Sequence, residues 1–167
     1  MVIWLIGISG AGKSTIAGEL KAYFDAQGRK NYIIDGDDIR AFFDNDLGYT
    51  KEEREANIKR IILAAHVLSQ NGVIAIVANI APFEPLRAFA RRKIEGYHEI
   101  FLRKDIQISA ADDVKGMYTR NKGKGRIVGL DIGFDEPKRS DLVLDVDGLT
   151  IRETRDEILA YLLKGQQ

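Results

Sequence analysis

Residues 7–15 read GISGAGKST, a stretch in which three glycines precede a lysine and two hydroxyl residues. The run from Val2 to Ile8 leads into this stretch and is apolar and rich in β-branched side chains, which indicates a buried strand. Residues 13–26 follow with apolar side chains at helical spacing, and Gly28 stands where such a helix ends. The strand, the glycine-rich turn and the helix together match G-x-x-x-x-G-K-[ST] in the context that this pattern requires.

The pattern predicts a phosphate-binding loop, or P-loop. Glycines allow backbone N–H groups to turn inward around phosphate oxygens, and the next helix points its positive end at the same anion. We expect Lys13 to reach the β- and γ-phosphates of ATP and Ser14 to bind Mg²⁺. The loop alone does not distinguish a kinase from a GTPase or a motor ATPase. The predicted ATP-binding residues are Gly7, Ser9, Gly10, Ala11, Gly12, Lys13, Ser14 and Thr15.

The rest of the chain alternates strand and helix patterns, which indicates a parallel sheet with helices on both faces. We therefore predict an α/β fold, the three-layer P-loop NTPase fold, in a single domain over residues 1–167. Ligands bind at the carboxyl ends of such strands, where residues 7–15, 35–40 and 78–84 are expected to meet. Glycines and cations in residues 112–130 predict a mobile lid, or alternatively a solvated loop. Further strands are expected at 31–34, 73–77, 97–102 and 141–146, and further helices at 51–70, 83–94 and 151–163.

The composition excludes several classes of function. Lys plus Arg number 25 and Asp plus Glu number 25, so no overall field attracts nucleic acid or a membrane, and neither is expected as a partner. The chain has no cysteine, which excludes disulfides, thiolate metal sites and cysteine nucleophiles. The apolar start is short and lacks a basic segment, so it does not resemble a signal peptide. These features predict a cytoplasmic protein.

The stretch DGDDIR at residues 35–40 follows the second predicted strand. Near bound phosphate, one carboxylate of Asp35 and Asp37 could accept the proton of an attacking hydroxyl while the other holds Mg²⁺. The alternative is a turn with a helix cap, because Asp-Gly is common in turns. The residues by themselves leave both interpretations open.

Six segments of the chain resemble the adenylyl-sulfate (APS) kinase family, in that family's order and over about residues 2–146. The resemblance implies phosphorylation of the 3′-hydroxyl of APS, a small nucleotide acceptor, with ATP and Mg²⁺. It also implies homodimers, which the family often forms, although no pattern in this sequence marks an interface. The six segments are GISGAGKSTIA, DGDDIR, DLGY (46–49), EREANIKR (53–60), NIAPF (79–83) and DVKGMY (113–118).

Carried over by position, the resemblance implies that Asp37 is the catalytic base, with Asp35 and Lys13 as further catalytic residues. Ser14 and Asp35 are the expected metal ligands. From the residues alone, a surface ion pair of Arg54 with Glu53 or Asp46 is the preferred explanation. The acceptor-binding residues that the resemblance implies are Asp37, Arg40, Tyr49, Arg54, Asn57, Ile80, Ala81 and Lys115.

The chain departs from the family pattern on the acceptor side. Ala81 stands where the family usually has serine, and Glu84 stands where arginine is common. Ile127 replaces a phenylalanine that clamps the acceptor base, so no aromatic occupies the clamp unless Phe134 moves into it. GFDEP at 133–137 stands where P-Y-E-A-P is usual.

These departures leave a second acceptor open. It is another activated nucleotide, such as cytidine diphosphoramidate of bacterial surface-polysaccharide (capsule) biosynthesis. A function of a different class, a P-loop regulatory NTPase or binding module, is disfavoured by Asp37 and Arg40 at one strand end.

Overall fold

The structure is a computed structural model that describes residues 1–113, 116–121 and 124–164. Its centre is a five-stranded sheet in which all neighbouring strands run parallel, with the order β2-β3-β1-β4-β5. Each strand lies within two residues of its predicted bounds at either end. The strands are β1 (Val2–Ile6), β2 (Asn31–Asp35), β3 (Ile74–Ala78), β4 (Tyr97–Arg103) and β5 (Leu142–Asp145).

The four long helices are the predicted ones. They are α1 (Lys13–Ala26), α3 (Lys51–Gln70), α4 (Glu84–Lys93) and α7 (Ile151–Lys164). A capping box begins α3, since Thr50 and Glu53 each accept the other's backbone N–H. Three short helices were not predicted, because five to seven residues barely fill two turns and give no periodicity. These are α2 (Gly36–Phe42), α5 (Ile106–Asp112) and α6 (Met117–Asn121).

The core has two apolar layers, one on each face of the sheet, which confirms the three-layer prediction. Successive residues of β1 alternate between them: Trp4 packs in the layer with α3 and α4, whereas Leu5 packs in the layer with α1 and α7. Because both faces are covered, β1 and β3 are buried along their whole length. Among the described helices, none is both long enough and apolar enough to cross a lipid bilayer.

The strand order brings three loops together at one edge of the sheet. β2, β3 and β1 are neighbours, so the segments that follow their carboxyl ends lie side by side. These segments are the P-loop at 7–12, helix α2 from Gly36, and residues 79–83 before α4. The meeting of the three predicted segments at this edge is therefore confirmed.

Candidate functional site

The P-loop has the backbone that its glycines allow. Gly7 adopts a φ of +146°, and a Cβ added there would lie 2.5 Å from the carbonyl oxygen of Leu102 on the neighbouring strand β4. Gly12 precedes α1 with a φ of +84° and offers no side-chain cap. The first N–H groups of α1 therefore have no capping side chain or acidic residue in the first turn. Such a helix start suits an anion in the loop.

The Lys13 side chain packs against the backbone of the P-loop, where a phosphate would bind. Its ammonium donates hydrogen bonds to the carbonyl oxygens of Gly7 at 2.9 Å and Ile8 at 2.7 Å. These two bonds hold the side chain over the loop instead of letting it extend into solvent. A bound phosphate would offer charged oxygens within the same reach, and a charged acceptor forms the stronger hydrogen bond.

The structure brings together the two predicted metal ligands. Ser14 Oγ donates to Asp35 Oδ2 at 2.9 Å, although the residues lie on α1 and at the end of β2. The other carboxylate oxygen, Asp35 Oδ1, accepts from the backbone N–H of Asp37 at 3.0 Å and caps α2. Asp35 therefore caps α2, which confirms the cap interpretation of DGDDIR, and it also faces Ser14, while its role as a metal ligand stays a prediction.

This pair of oxygen ligands fits Mg²⁺. The hydroxyl and the carboxylate are hard ligands, and Mg²⁺ in nucleotide sites takes few of its ligands from protein and the remainder from water and phosphate. The described residues contain no group of three or more His, Cys, Asp or Glu side chains that could form a protein cage for a metal. These residues can therefore build a Mg²⁺ site with few protein ligands, in which water and the phosphates of a nucleotide supply the remaining ligands.

Asp37 lies in the first turn of α2 and is exposed. The carboxylate is thus accessible at the sheet edge, two residues from Asp35 and near the positive end of α2. An exposed carboxylate beside a phosphate site can accept a proton from a hydroxyl that is positioned against it. Placement and accessibility therefore agree with its predicted role as a base, which stays a prediction.

Arg40 is a buried arginine on the same short helix. It is 7% exposed, and its Nη1 donates to the carbonyl oxygens of Leu47 at 3.1 Å and Gly48 at 2.7 Å. Its guanidinium carbon also lies 4.7 Å from the ring centroid of Tyr49, which is 44% exposed. Arg40 thus fixes the loop before α3 and places the Tyr49 ring at the edge of the site.

Arg54 does not form the surface ion pair that the residues alone allowed. Asp46 binds Arg60 through both carboxylate oxygens at 2.7 Å, and Glu53 is used in the helix cap. Arg54 instead donates from Nε to the carbonyl oxygen of Tyr49 and from Nη2 to that of Arg126, both at 2.9 Å. Burial and the positive charges of Arg40 and Arg126 lower the pKa of the Arg54 guanidinium below its ordinary value.

Asn57 is placed differently from Arg54, although both lie on α3. It is only 2% exposed, and its Nδ2 donates to the carbonyl oxygen of Gly36 at 3.2 Å. The amide thus joins α3 to the start of α2. Within the described residues its Oδ1 atom is buried and has no hydrogen-bond partner. Asn57 is therefore a buried residue that joins α2 to α3, whereas Arg54 is half-buried and lies closer to the surface.

The loop after β3 is held by a group of residues that we call the Arg87 cluster: Ala81, Glu84, Arg87 and Asp135. Ala81 is buried with a φ of +45°, and its N–H donates to Asn79 Oδ1 at 2.8 Å. Arg87, 3% exposed, donates to the carbonyl oxygens of Ala81 at 2.7 Å and Asp135 at 2.6 Å and pairs with Glu84 at 2.6 Å. Ile80, also in this loop, is half-buried.

The structure shows the contacts of Glu84 and Phe134, two residues at which the chain departs from the family pattern. The Glu84 carboxylate pairs with the Arg87 guanidinium, so its negative charge is largely balanced inside the cluster. The backbone N–H of Glu84 donates to Asp135 Oδ2 at 2.9 Å. Phe134 packs into the core with its ring centroid 5.8 Å from that of Phe101. Phe134 is therefore half-buried against the core in this structure. Lys115 falls outside the described residues.

The described part of the predicted lid touches the P-loop. Tyr118, on α6, is 7% exposed and donates its hydroxyl to the carbonyl oxygen of Ser9 at 3.0 Å. Asp113 caps this helix by accepting from the backbone N–H groups of Tyr118 and Thr119. Burial raises the pKa of the Tyr118 hydroxyl. The mobility of the lid stays a prediction, whereas its contact with the P-loop is observed.

Sequence reasoning missed Arg87 and gave Arg126 no role of its own. Arg87 is bound chiefly to backbone carbonyls, which leave no mark in a sequence, and its one signal was the spacing of three from Glu84. Arg126 was one cation among several in a glycine-rich run, a pattern typical of a solvated loop. Its proximity to Tyr49 depends on the fold.

Comparison with known proteins gives consistent similarities. A family model described as Adenylylsulphate kinase matches residues 1–145. The adenylyl-sulfate kinase of Paraburkholderia xenovorans is 37% identical over 166 residues, which cover 97% of this chain and 92% of that protein. Among solved structures, the Mycobacterium tuberculosis APS kinase CysC in complex with AMPPNP and APS has a TM-score of 0.87 at 31% identity, covering 96% of each chain. A hexameric APS kinase from Thiobacillus denitrificans has a TM-score of 0.75 at 29% identity, over 98% of this chain and 29% of that one.

Proposed function

The chain belongs to the adenylyl-sulfate kinase family, and on that premise we propose that it transfers the γ-phosphate of ATP to the 3′-hydroxyl of APS. The proposal rests on the functional groups that lie together at the carboxyl ends of β2, β3 and β1. A phosphate-binding loop, two carboxylates and two arginines converge there. Such an arrangement suits phosphoryl transfer, in which catalysis is mainly positioning and electrostatic stabilisation.

On the donor side, the P-loop backbone and the start of α1 bind the phosphates of ATP. Lys13 exchanges its two carbonyl partners for phosphate oxygens. Ser14 and Asp35 hold Mg²⁺, which neutralises phosphate charge when bound.

On the acceptor side, Asp37 accepts the proton of the attacking hydroxyl. Arg40 and Arg54 lie near the Tyr49 ring and bind the anionic part of the acceptor. Asn57, Ile80 and Ala81 shape the floor of the site, and Lys115 is the acceptor-binding residue that the family pattern adds.

We also propose two properties of the whole chain. Residues 1–167 form one domain, since α7 near the end packs in the same core layer as α1 and Arg155 pairs with Glu19 at 3.0 Å. The protein self-associates, an expectation supported by the family and by the hexameric relative. Size-exclusion chromatography with light scattering measures the assembly, and a monomer at micromolar concentration would contradict self-association.

An acceptor screen tests the proposed function. The purified protein is supplied with ATP and Mg²⁺, and ADP release is followed with APS, with cytidine diphosphate derivatives including the diphosphoramidate, and without acceptor. We expect APS to give the highest kcat/KM. A higher value with the cytidine nucleotide would replace APS as the substrate, and release that needs no acceptor would favour a simple NTPase.

Asp37→Asn separates transfer from donor binding. We expect the variant to lose transfer by a factor of about 100 or more, as when a general base is removed, while binding of AMPPNP stays near the wild-type value. Near-native turnover would remove Asp37 as the base without affecting the assignment of the substrate. Asp38→Asn, on the next and equally exposed residue, is the matched control.

A further inference from the structure

Three guanidinium groups converge on one exposed aromatic ring. The Cζ atoms of Arg40, Arg54 and Arg126 lie 4.7, 5.3 and 5.7 Å from the ring centroid of Tyr49. The three arginines come from α2, α3 and the segment after α6, so the fold brings them together from distant parts of the chain. Each contact is within the range of a cation–π interaction. The face of the Tyr49 ring thus attracts the three guanidinium groups but leaves their positive charge unneutralised.

Among the described residues, no carboxylate forms an ion pair with this arginine cluster, although the Glu53 carboxylate interacts with Arg40 over a longer distance. Within the described residues, none of its three arginines takes part in an ion pair at 4.0 Å or less. The hydrogen bonds of Arg40 and Arg54 go to backbone carbonyls. Charges of one sign held close together repel each other, and an anion in their midst removes that repulsion. The cluster is therefore built for a negatively charged ligand.

Arg126 is held at this cluster by an anchored backbone. Its carbonyl oxygen accepts from Arg54 Nη2 at 2.9 Å. The next residue, Ile127, is buried, and its N–H donates to Asp131 Oδ2 at 2.9 Å. The carbonyl oxygen of Ile127 accepts from the backbone N–H of Asp131 at 2.7 Å and closes the turn. The exposed Arg126 side chain thus projects from a fixed point beside Tyr49, unlike a cation on a freely solvated loop.

We propose that Arg126 is an acceptor-binding residue that recognises the anionic group of the acceptor, the phosphosulfate in APS, together with Arg40 and Arg54. The inference rests on the proposed function and adds a specificity residue to it. The acceptor class that it selects is a nucleotide with at least two negative charges beside its base, because three guanidiniums are available to pair with them. Arg126 acts on acceptor affinity and not on the transferred phosphate.

The test measures APS binding by isothermal titration calorimetry to protein saturated with Mg²⁺ and AMPPNP, and in parallel the steady-state KM and kcat with ATP. Arg126→Gln removes the charge and keeps a polar side chain, whereas Arg126→Lys keeps the charge. Lys30→Gln is the control, because it removes one positive charge from an exposed residue just before β2, at the opposite edge of the sheet. Adenosine, which lacks the anionic group, is the competing ligand that reports on recognition of the nucleoside.

We expect Arg126→Gln to raise the Kd and KM for APS about tenfold, the effect of losing a hydrogen bond between charged groups, with kcat within about twofold of wild type. The Kd and KM for APS of Arg126→Lys should lie between those of wild type and Arg126→Gln. Those of Lys30→Gln should match wild type, and the inhibition constant of adenosine should not change. The Kd of Arg126→Gln should also depend less steeply on salt.

An unchanged Kd for APS in Arg126→Gln would overturn the inference, even if the wild type phosphorylates APS efficiently. An equal loss of adenosine affinity would overturn it too, since the residue would then contact the nucleoside. Failure of the proposed function is a separate result: the wild type would not phosphorylate APS, and the same binding measurements on Arg126, made with the acceptor that gives the highest kcat/KM, would decide the present inference.

Discussion

Replacing Arg87 with methionine tests the cluster that holds the acceptor loop. The Arg87 side chain is 2% exposed, and its guanidinium satisfies the carbonyl oxygens of Ala81 and Asp135. Methionine fills most of the volume of the arginine stem, so the cavity left behind is small. The expected loss therefore comes from two carbonyls that are left without their charged donor.

The magnitude follows from these contacts. A hydrogen bond from a charged donor contributes about 1.5–3 kcal/mol, so two give about 3–6 kcal/mol. The ion pair with Glu84 adds little because that side chain is 44% exposed. The variant no longer buries a charge, which offsets part of the loss. We expect Arg87→Met to lower the free energy of unfolding by about 3 kcal/mol.

Urea denaturation followed by circular dichroism measures this free energy, with Arg92→Met as the control. Arg92 lies on the same helix and stacks on Phe89, so methionine there should cost under about 1 kcal/mol. The KM for APS should rise in Arg87→Met while the KM for ATP changes little, because the Ala81 loop belongs to the acceptor side. A free energy of unfolding within about 1 kcal/mol of wild type would refute the reasoning.

Three further variants test other parts of the site. Lys13→Ala should abolish ATP turnover with every acceptor while the circular dichroism spectrum stays native; turnover above a few per cent would contradict the role of Lys13 at the phosphates. Glu84→Arg should destabilise the protein by about 1–2 kcal/mol more than Glu84→Gln, since a second guanidinium would stand beside Arg87, and equal denaturation midpoints for the two variants would show that the pairing is weak. Tyr118→Phe should lower the free energy of unfolding by about 1 kcal/mol through loss of the bond to Ser9, with no change expected if the hydroxyl is solvated instead.

The fold could be predicted from the sequence where the periodicity was long enough to recognise. The strand before the P-loop is a continuous apolar run, and helices α1 and α3 each repeat their apolar spacing over several turns. Thr50 and Glu53 also marked the start of α3. Helices α2, α5 and α6 have five to seven residues, too few for a recognisable repeat. Their existence depends on local caps, such as Asp105 before α5, and on the fold around them.

The residues of the candidate site were also predictable only in part. The P-loop and the Asp35 carboxylate were predictable because their chemistry is written in consecutive residues next to a strand. Arg87 and Arg126 were not, because a backbone carbonyl can be supplied by any residue, and which one is near is decided only by the fold. For a related reason, the charge reversal at Glu84 was visible in the sequence but its buried partner Arg87 was not.

The Arg87 cluster also bears on how this chain came to differ from its relatives. The departures at Glu84 and at residues 133–137 are far apart in sequence, yet Asp135 accepts the backbone N–H of Glu84 and both contact one guanidinium. The Glu84 carboxylate pairs with Arg87 and the Asp135 carboxylate accepts the backbone N–H of Glu84, so a change at either position loosens the same loop. Substitutions at positions 84 and 135 should therefore have non-additive effects on the free energy of unfolding as long as Arg87 is kept.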